Sequence, residues 1–117
     1  MKETEKIEIM HFSQEGYVED GKNVYETGKK MIALADKVAD EGYDAIFLMG
    51  VGGTWDELMQ LEYLMNKFGD RDLEVYLIHA AEWNAMGHKR MTEKSVVLTA
   101  SESGTTPEVL EAVKKMK

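Results

Sequence analysis

The sequence contains no cysteine and only one proline. Without cysteine no disulfide can stabilise the chain, and its composition gives no sign of the oxidising environment in which disulfides form. The fold must therefore be held by an apolar core. A chain of 117 residues is long enough to build one such core, so we expect a single domain at most.

Long apolar runs and an excess of positive charge are also missing. No segment approaches the ~20 apolar residues of a membrane span, and the charged N-terminus does not resemble a signal peptide. The 14 basic and 22 acidic residues give a net charge of −8. Because this charge repels nucleic-acid backbones and anionic lipid, we expect the protein to bind neither nucleic acid nor membranes. The missing cysteines, signal peptide and membrane span predict a cytoplasmic protein.

Apolar patterning predicts an α/β fold. Buried strands are predicted over Ala45–Met49, Leu73–Ile78 and Ser95–Ala100. Helices are predicted from Asn23 to near Gly42, over Trp55–Phe68, and from Pro107 onward. Alternating strands and helices with short connections favour a three-layer α/β/α arrangement around a parallel sheet. A flavodoxin-like strand order of 2-1-3 places the first strand between the other two.

The first 22 residues are predicted to form an N-terminal arm, and residues 23–117 the domain itself. Ile7–Phe12 alternates apolar and polar residues, which indicates either a short strand or an arm packed on a neighbouring subunit. Ser13–Lys22 contains two glycines among several charges, so we expect it to be irregular or weakly helical.

An octapeptide rich in hydroxyl groups joins the third strand to the last helix. It reads Ser101-Glu102-Ser103-Gly104-Thr105-Thr106-Pro107-Glu108. A helix N-terminus leaves backbone N–H groups without partners and favours anions. A helix cap would explain one hydroxyl here, but four hydroxyls around a glycine favour a phosphate site, to which each can donate a hydrogen bond.

A glycine-rich segment, Gly50-Val51-Gly52-Gly53-Thr54, follows the first strand. Trp55 occupies the third glycine position of a dinucleotide fingerprint, so no nicotinamide cofactor is predicted. The glycines either allow backbone to approach a ligand or serve only to turn the strand into a helix. In the predicted strand order both loops meet at one sheet edge. The predicted ligand site comprises Gly52, Gly53, Thr54, Ser101, Glu102, Ser103, Gly104, Thr105 and Thr106.

The histidines give no metal pattern. His79 and His88 do not have a metal-ligand spacing, and only Glu82 is close in sequence, so we predict no metal site. Glu82-Trp83 is expected to anchor its loop or to form a subunit contact.

These loops together resemble the SIS (sugar isomerase) domain family from about Asn23 to the last residue. The phosphosugar signature Ser-x-Ser-Gly-x-Thr-x-Glu is matched by Ser101, Ser103, Gly104, Thr106 and Glu108. The family also has a strand followed by Gly-x-Gly-x-Ser, where this chain has Gly50 to Thr54. Glu82-Trp83 is similar to a Glu-aromatic pair of fructosamine deglycases and of the isomerase half of glucosamine-6-phosphate synthase.

The resemblance implies a sugar-phosphate ligand and no cofactor. Family enzymes move protons between the first two sugar carbons with a general-base Glu on a later helix and a His from a partner subunit. Neither residue can be assigned in this sequence, so its catalytic residues are unknown. Glu102 stands where the family often has Gln, and its carboxylate is expected to turn outward or to contact a sugar hydroxyl or an amine.

Family members continue with two more strands, whereas this chain ends at Lys117. We therefore expect a fragment, a chain completed by a second chain, or a homo-oligomer that pairs its edge strands. The expected function is to form the phosphosugar-binding part of an aldose-ketose isomerase or fructosamine-6-phosphate deglycase. The alternatives are a non-catalytic sugar-phosphate-sensing module of a transcriptional or kinase regulator, and an unrelated nucleotide- or phosphate-binding domain.

Overall fold

The computed structural model describes residues 13–70 and 72–117. The chain divides into two compact units, one that extends through Lys37 and one that comprises Val38–Lys117. The predicted strand or arm at Ile7–Phe12 lies outside the described residues. None of the helices in the described ranges is long and apolar enough to cross a lipid bilayer.

Helix α1 (Gln14–Asp40) begins earlier than predicted. Ser13 starts it, because its Oγ accepts a hydrogen bond from Gly16 N at 3.0 Å. Of the two structures predicted for Ser13–Lys22, irregular or weakly helical, the observed one is helical, and the proposed boundary after Lys22 falls within a continuous helix. Its end agrees with the prediction: Gly42 has φ 76°, the left-handed conformation that commonly follows a helix.

The second unit is an α/β structure with a three-stranded parallel sheet. Its elements are β1 (Ala45–Gly50), α2 (Gly53–Phe68), β2 (Glu74–His79), α3 (Ala80–Met86), β3 (Ser95–Thr99) and α4 (Pro107–Met116). The strand order β2-β1-β3 is the predicted one, with β1 in the centre. The predicted elements do not include α3, because a helix of 7 residues is too short for a clear apolar period.

Helices cover both faces of the sheet. Phe47 and Met49 of β1 are fully buried in a cluster that includes Val109 and Ala112 of α4. Side chains alternate between the faces of a strand, so Leu48, which is also fully buried, points to the opposite face. There α2 packs on β1 and β2. The buried central strand thus explains the nearly continuous apolar run in the sequence.

A polar cluster ties the segment after α3 to β2, an edge strand. Glu74 accepts hydrogen bonds from Tyr76 Oη at 2.7 Å and from Arg90 Nε at 2.8 Å, and it also pairs with Arg90 Nη2. The Tyr76 ring stacks on Phe47 with ring centroids 5.0 Å apart. The Tyr76 hydroxyl and the Arg90 guanidinium hold the pKa of the Glu74 carboxyl below its ordinary value.

We predict that Arg90→Ala raises the pKa of Glu74 toward its ordinary value of 4.5. A lowered folded-state pKa stabilises the fold above the unfolded-state value, and this stabilisation is lost as the pH falls through the folded-state pKa. The wild type should therefore lose more stability on acidification than the variant. Carboxyl titration by NMR and urea unfolding on both sides of this pH range measure the difference. Lys89→Ala is the control, and an unchanged Glu74 pKa in Arg90→Ala would contradict the assignment.

Gly50 is buried where β1 enters the turn to α2. A Cβ at this position would lie 2.8 Å from Trp55 N and 3.0 Å from the carbonyl carbon of Thr54, both of which are backbone atoms. The turn can therefore pack this closely on the strand only with glycine here.

We predict that Gly50→Ala lowers the free energy of unfolding by about 1–3 kcal/mol, the usual cost of forcing extra volume into a packed site. Gly53→Ala is the matched control in the same turn, since no atom lies within 4 Å of its Cβ position. Urea unfolding of both variants measures the effect. Equal stabilities would show that the turn moves away without cost.

Candidate functional site

The loops that follow β1 and β3 meet in one open cleft of about 950 Å³. Its lining consists of Val51, Gly53, Thr54, Glu57, Ala100, Ser101, Glu102, Ser103 and Thr106. The two strands are parallel neighbours, with Met49 of β1 opposite Thr99 of β3, so their carboxyl ends lie side by side. The cleft occupies the edge at which open α/β sheets bind ligands.

Most of the predicted site residues line this cleft, but Gly52, Gly104 and Thr105 are not among the lining residues. Gly52 and Gly104 shape the two loops instead, with φ of 57° and 69°, in the region that favours glycine. Glu57 lines the cleft and was not predicted. Its position one helical turn after Gly53 and Thr54 is the signal that could have identified it.

The Thr54 hydroxyl closes the turn between β1 and α2. It accepts a hydrogen bond from Val51 N at 3.2 Å and donates one to Val51 O at 3.0 Å. Its only proton is therefore used within the turn. Thr54 lines the cleft, but its hydroxyl is not a free donor toward a ligand.

The hydroxyl groups of the loop after β3 bond to one another. Ser101 Oγ accepts from Gly104 N at 3.0 Å and lies 2.8 Å from Thr106 Oγ1. Ser103 Oγ accepts from Thr105 N and from Thr105 Oγ1, both at 3.1 Å. The loop is thus held by its own side chains.

This network limits the number of hydroxyl groups that can donate a hydrogen bond to a ligand. The Thr105 proton goes to Ser103, and one proton of the Ser101 and Thr106 pair lies between them. The Ser103 proton and the second proton of that pair can still form hydrogen bonds to a ligand in the cleft. The sequence-based expectation that all four hydroxyls donate to a phosphate is therefore reduced to two donors.

Two helix N-termini open at the cleft without side-chain caps. The cap residue of α2 is Gly52, which has no side chain, and Thr106 caps α4 without a side-chain hydrogen bond. The first helical hydrogen bonds run from Asp56 N to Gly52 O and from Leu110 N to Thr106 O. Earlier N–H groups in each helix lack helical partners, and both ends carry partial positive charge. The sequence also allowed the interpretation that a hydroxyl of the loop after β3 caps α4, but no such side-chain cap is formed.

The charged groups at the cleft are both acidic. Glu57 and Glu102 line it and are exposed, and no lysine or arginine occurs among the described lining residues. An anion here would be held by hydroxyls and backbone N–H groups rather than by a basic side chain. The two carboxylates favour hydroxyl or ammonium groups elsewhere on the same ligand.

His79 and His88 each form a structural hydrogen bond outside the cleft. His79 Nδ1 accepts from Ala81 N at 3.3 Å and caps α3. His88 Nδ1 accepts from Arg90 N at 3.2 Å, and its ring packs edge-on against Phe47. Within residues 13–70 and 72–117, no group of three or more acidic or histidine side chains is placed to hold a metal ion.

The remaining candidate residues connect α3 and α4. Trp83 packs against the core cluster, and Asn84 Nδ2 donates to Glu108 O at 2.8 Å. Lys115 Nζ donates to Asn84 O at 3.0 Å. Glu108 does not line the cleft. These contacts place α3 against the first turn of α4, next to the hydroxyl-rich loop.

No protein-family model, curated protein or solved structure matches this chain. The resemblance to SIS domains therefore stays a prediction that rests on the loop residues and on Glu82-Trp83.

We predict that Ser101→Ala loosens the loop after β3, because it removes both the acceptor for Gly104 N and the partner of Thr106. The free energy of unfolding should fall by about 1–2 kcal/mol, as for a lost, partly buried hydrogen-bonded group. Hydrogen exchange at the Gly104 amide should accelerate. Thr105→Ala, which removes an exposed hydroxyl of the same loop, is the control and should leave that amide protected. An unchanged exchange rate at Gly104 in Ser101→Ala would contradict this role.

Proposed function

We propose that the cleft binds a phosphorylated sugar or sugar-amine, and that the chain is the phosphosugar-binding part of an aldose-ketose isomerase or fructosamine-6-phosphate deglycase. The observation that carries the proposal is that two helix N-termini without side-chain caps open onto one hydroxyl-lined cleft. Each N-terminus suits an anion, and together they suit a phosphate monoester.

The phosphate end of the ligand is assigned to the hydroxyl-rich loop and the start of α4. Ser103 has an unused proton, and the pair of Ser101 and Thr106 has a second one. The chain carries a net charge of −8, so the long-range field repels the ligand. Binding must therefore come from these short-range donors, which act at hydrogen-bond distance.

The sugar end is assigned to the two carboxylates. Glu57 and Glu102 repel a bare phosphate, but carboxylate oxygens accept hydrogen bonds from sugar hydroxyls and attract an ammonium group. Among the described lining residues the apolar ones are few, limited to Val51 and Ala100 beside the glycine, and none carries an aromatic ring on which a nucleobase would stack. This composition supports a phosphorylated polyol over a nucleotide.

Catalysis requires a proton acceptor within hydrogen-bond reach of the sugar carbons. Within the described lining residues the only titratable groups are Glu57 and Glu102, and both are exposed to solvent. We propose that the general base of the complete enzyme comes from outside this cleft. The same observation favours the second candidate function, a non-catalytic sugar-phosphate-sensing module.

Chemical-shift mapping tests the proposal. Fructose 6-phosphate, glucosamine 6-phosphate and fructosamine 6-phosphate should shift the amides of Gly53, Thr54 and residues 101–106, whereas unphosphorylated fructose should not. Ser103→Ala should weaken binding by about 1.5–3 kcal/mol, the cost of losing a hydrogen bond to a charged group, or roughly 10- to 150-fold in Kd.

Two variants serve as controls. Ser95→Ala removes a hydroxyl of β3 outside the cleft and should leave the Kd unchanged. Glu57→Gln should tighten inorganic phosphate and weaken the amino sugars relative to fructose 6-phosphate, because the carboxylate charge is lost while the side-chain shape is kept. Shifts elsewhere on the molecule would refute the site. Binding without sugar interconversion would favour the sensing module.

A further inference from the structure

We propose that Asn84 is a positioning residue of the cleft, because it fixes a peptide group through which the start of α4 binds the phosphate of the ligand. The inference rests on the proposed function, since it concerns that same site. Asn84 lies on α3 and is not among the residues that line the cleft, so it acts without touching the ligand. Its side chain bonds instead to the first turn of α4, whose N-terminus opens at the cleft.

Helix α4 offers two backbone N–H groups at its start. Its first residue is Pro107, which has no N–H, and its first helical hydrogen bond runs from Leu110 N to Thr106 O. The N–H groups of Glu108 and Val109 lie between these residues and precede the helical bonding pattern. The binding of an anion at this end of the helix therefore depends on the direction of those two N–H groups.

The hydrogen bond from Asn84 fixes one of these two groups. Asn84 Nδ2 donates to Glu108 O at 2.8 Å. The peptide unit is planar, and the plane that contains the Glu108 carbonyl also contains the Val109 N–H, which points the opposite way. The bond to the oxygen therefore fixes the direction of this N–H, and it strengthens the N–H as a donor by polarising the peptide. The Val109 side chain, which is buried in the core cluster, anchors the same residue.

Stability alone does not explain an amide at position 84. Asn84 Oδ1 is buried and has no hydrogen-bond partner among the described residues. A buried acceptor without a partner is unfavourable, so an apolar side chain of the same size would cost less here unless the Nδ2 bond were needed. Glu108 O does not itself require that bond, because the N–H of Ala112 is its regular partner within α4. The orientation of the Glu108 peptide is therefore the reason that we assign to the amide.

A second set of contacts holds α3 against α4 without touching the Glu108 peptide. Trp83 packs against the core cluster, and Lys115 Nζ donates to the backbone oxygen of Asn84 at 3.0 Å. Lys115 also pairs with Glu111 at 2.6 Å, at the exposed surface of α4. Lys115 therefore offers a matched control, since its replacement loosens the same pair of helices but leaves the bond from Asn84 Nδ2 in place.

Calorimetric titration of the full chain with fructose 6-phosphate, together with urea unfolding, tests this role. Asn84→Leu keeps the side-chain size but removes the Nδ2 donor, and it should raise the Kd about 3- to 10-fold, the range of one ordinary hydrogen bond. Its free energy of unfolding should stay the same or rise, because the buried Oδ1 is removed as well. Asn84→Ala should raise the Kd to the same extent without adding apolar bulk. Lys115→Met should lower the stability and leave the Kd unchanged.

Hydrogen exchange of the Val109 amide identifies the peptide group that is involved. At saturating fructose 6-phosphate this exchange should slow in the wild type and in Lys115→Met, because the N–H then has an acceptor, and it should slow much less in Asn84→Leu.

The possible outcomes separate this inference from the proposed function. An unchanged Kd in both Asn84 variants would overturn the inference and leave the proposed function standing. A Kd that rises equally in Lys115→Met would also overturn it, since Asn84 would then serve only to hold the two helices together. A wild type that does not bind fructose 6-phosphate would refute the proposed function and the inference with it.

Discussion

The parallel pairing of β1 with β3 is the interaction on which the α/β unit and its cleft depend. It aligns Met49 with Thr99, and it thereby brings together two loops that are distant in the sequence. The pairing follows from the burial of β1: its side chains are covered on both faces, so β1 belongs in the centre with one neighbour on each side. Gly50 then allows the turn to pack against the end of the strand, which keeps the start of α2 beside the hydroxyl-rich loop.

The cleft combines neutral donors with acidic side chains. Helix N-termini and unused hydroxyl protons suit an anion, whereas Glu57 and Glu102 suit hydroxyl or ammonium groups. A ligand that carries both kinds of group satisfies both halves of the cleft, which is the physical basis for proposing a phosphorylated sugar or sugar-amine. The hydrogen bonds among Ser101, Ser103, Thr105 and Thr106 hold the loop after β3 in its shape.

Helix α1 poses a different physical problem from the α/β unit. Large apolar residues of α1, among them Val18, Val24, Tyr25, Ile32 and Leu34, are exposed, and its two halves differ in charge. The α/β unit encloses its own core, whereas α1 has no buried residue.

Local sequence was sufficient to predict the structure where the pattern of apolar residues was strong. The apolar runs predicted the three strands to within one residue at each end, the flavodoxin-like arrangement predicted the strand order, and the loop composition identified most of the cleft. Weak local signals left the structure open. Gly16 and Gly21 suggested irregular or weakly helical structure before residue 23, and the structure has a helix there that Ser13 caps. Only the tertiary structure decided which hydroxyl protons are already used, that Gly52, Gly104 and Thr105 shape the loops instead of lining the cleft, and that Glu57 belongs to it. Those properties depend on directions and distances between side chains, which residue types and spacing do not specify.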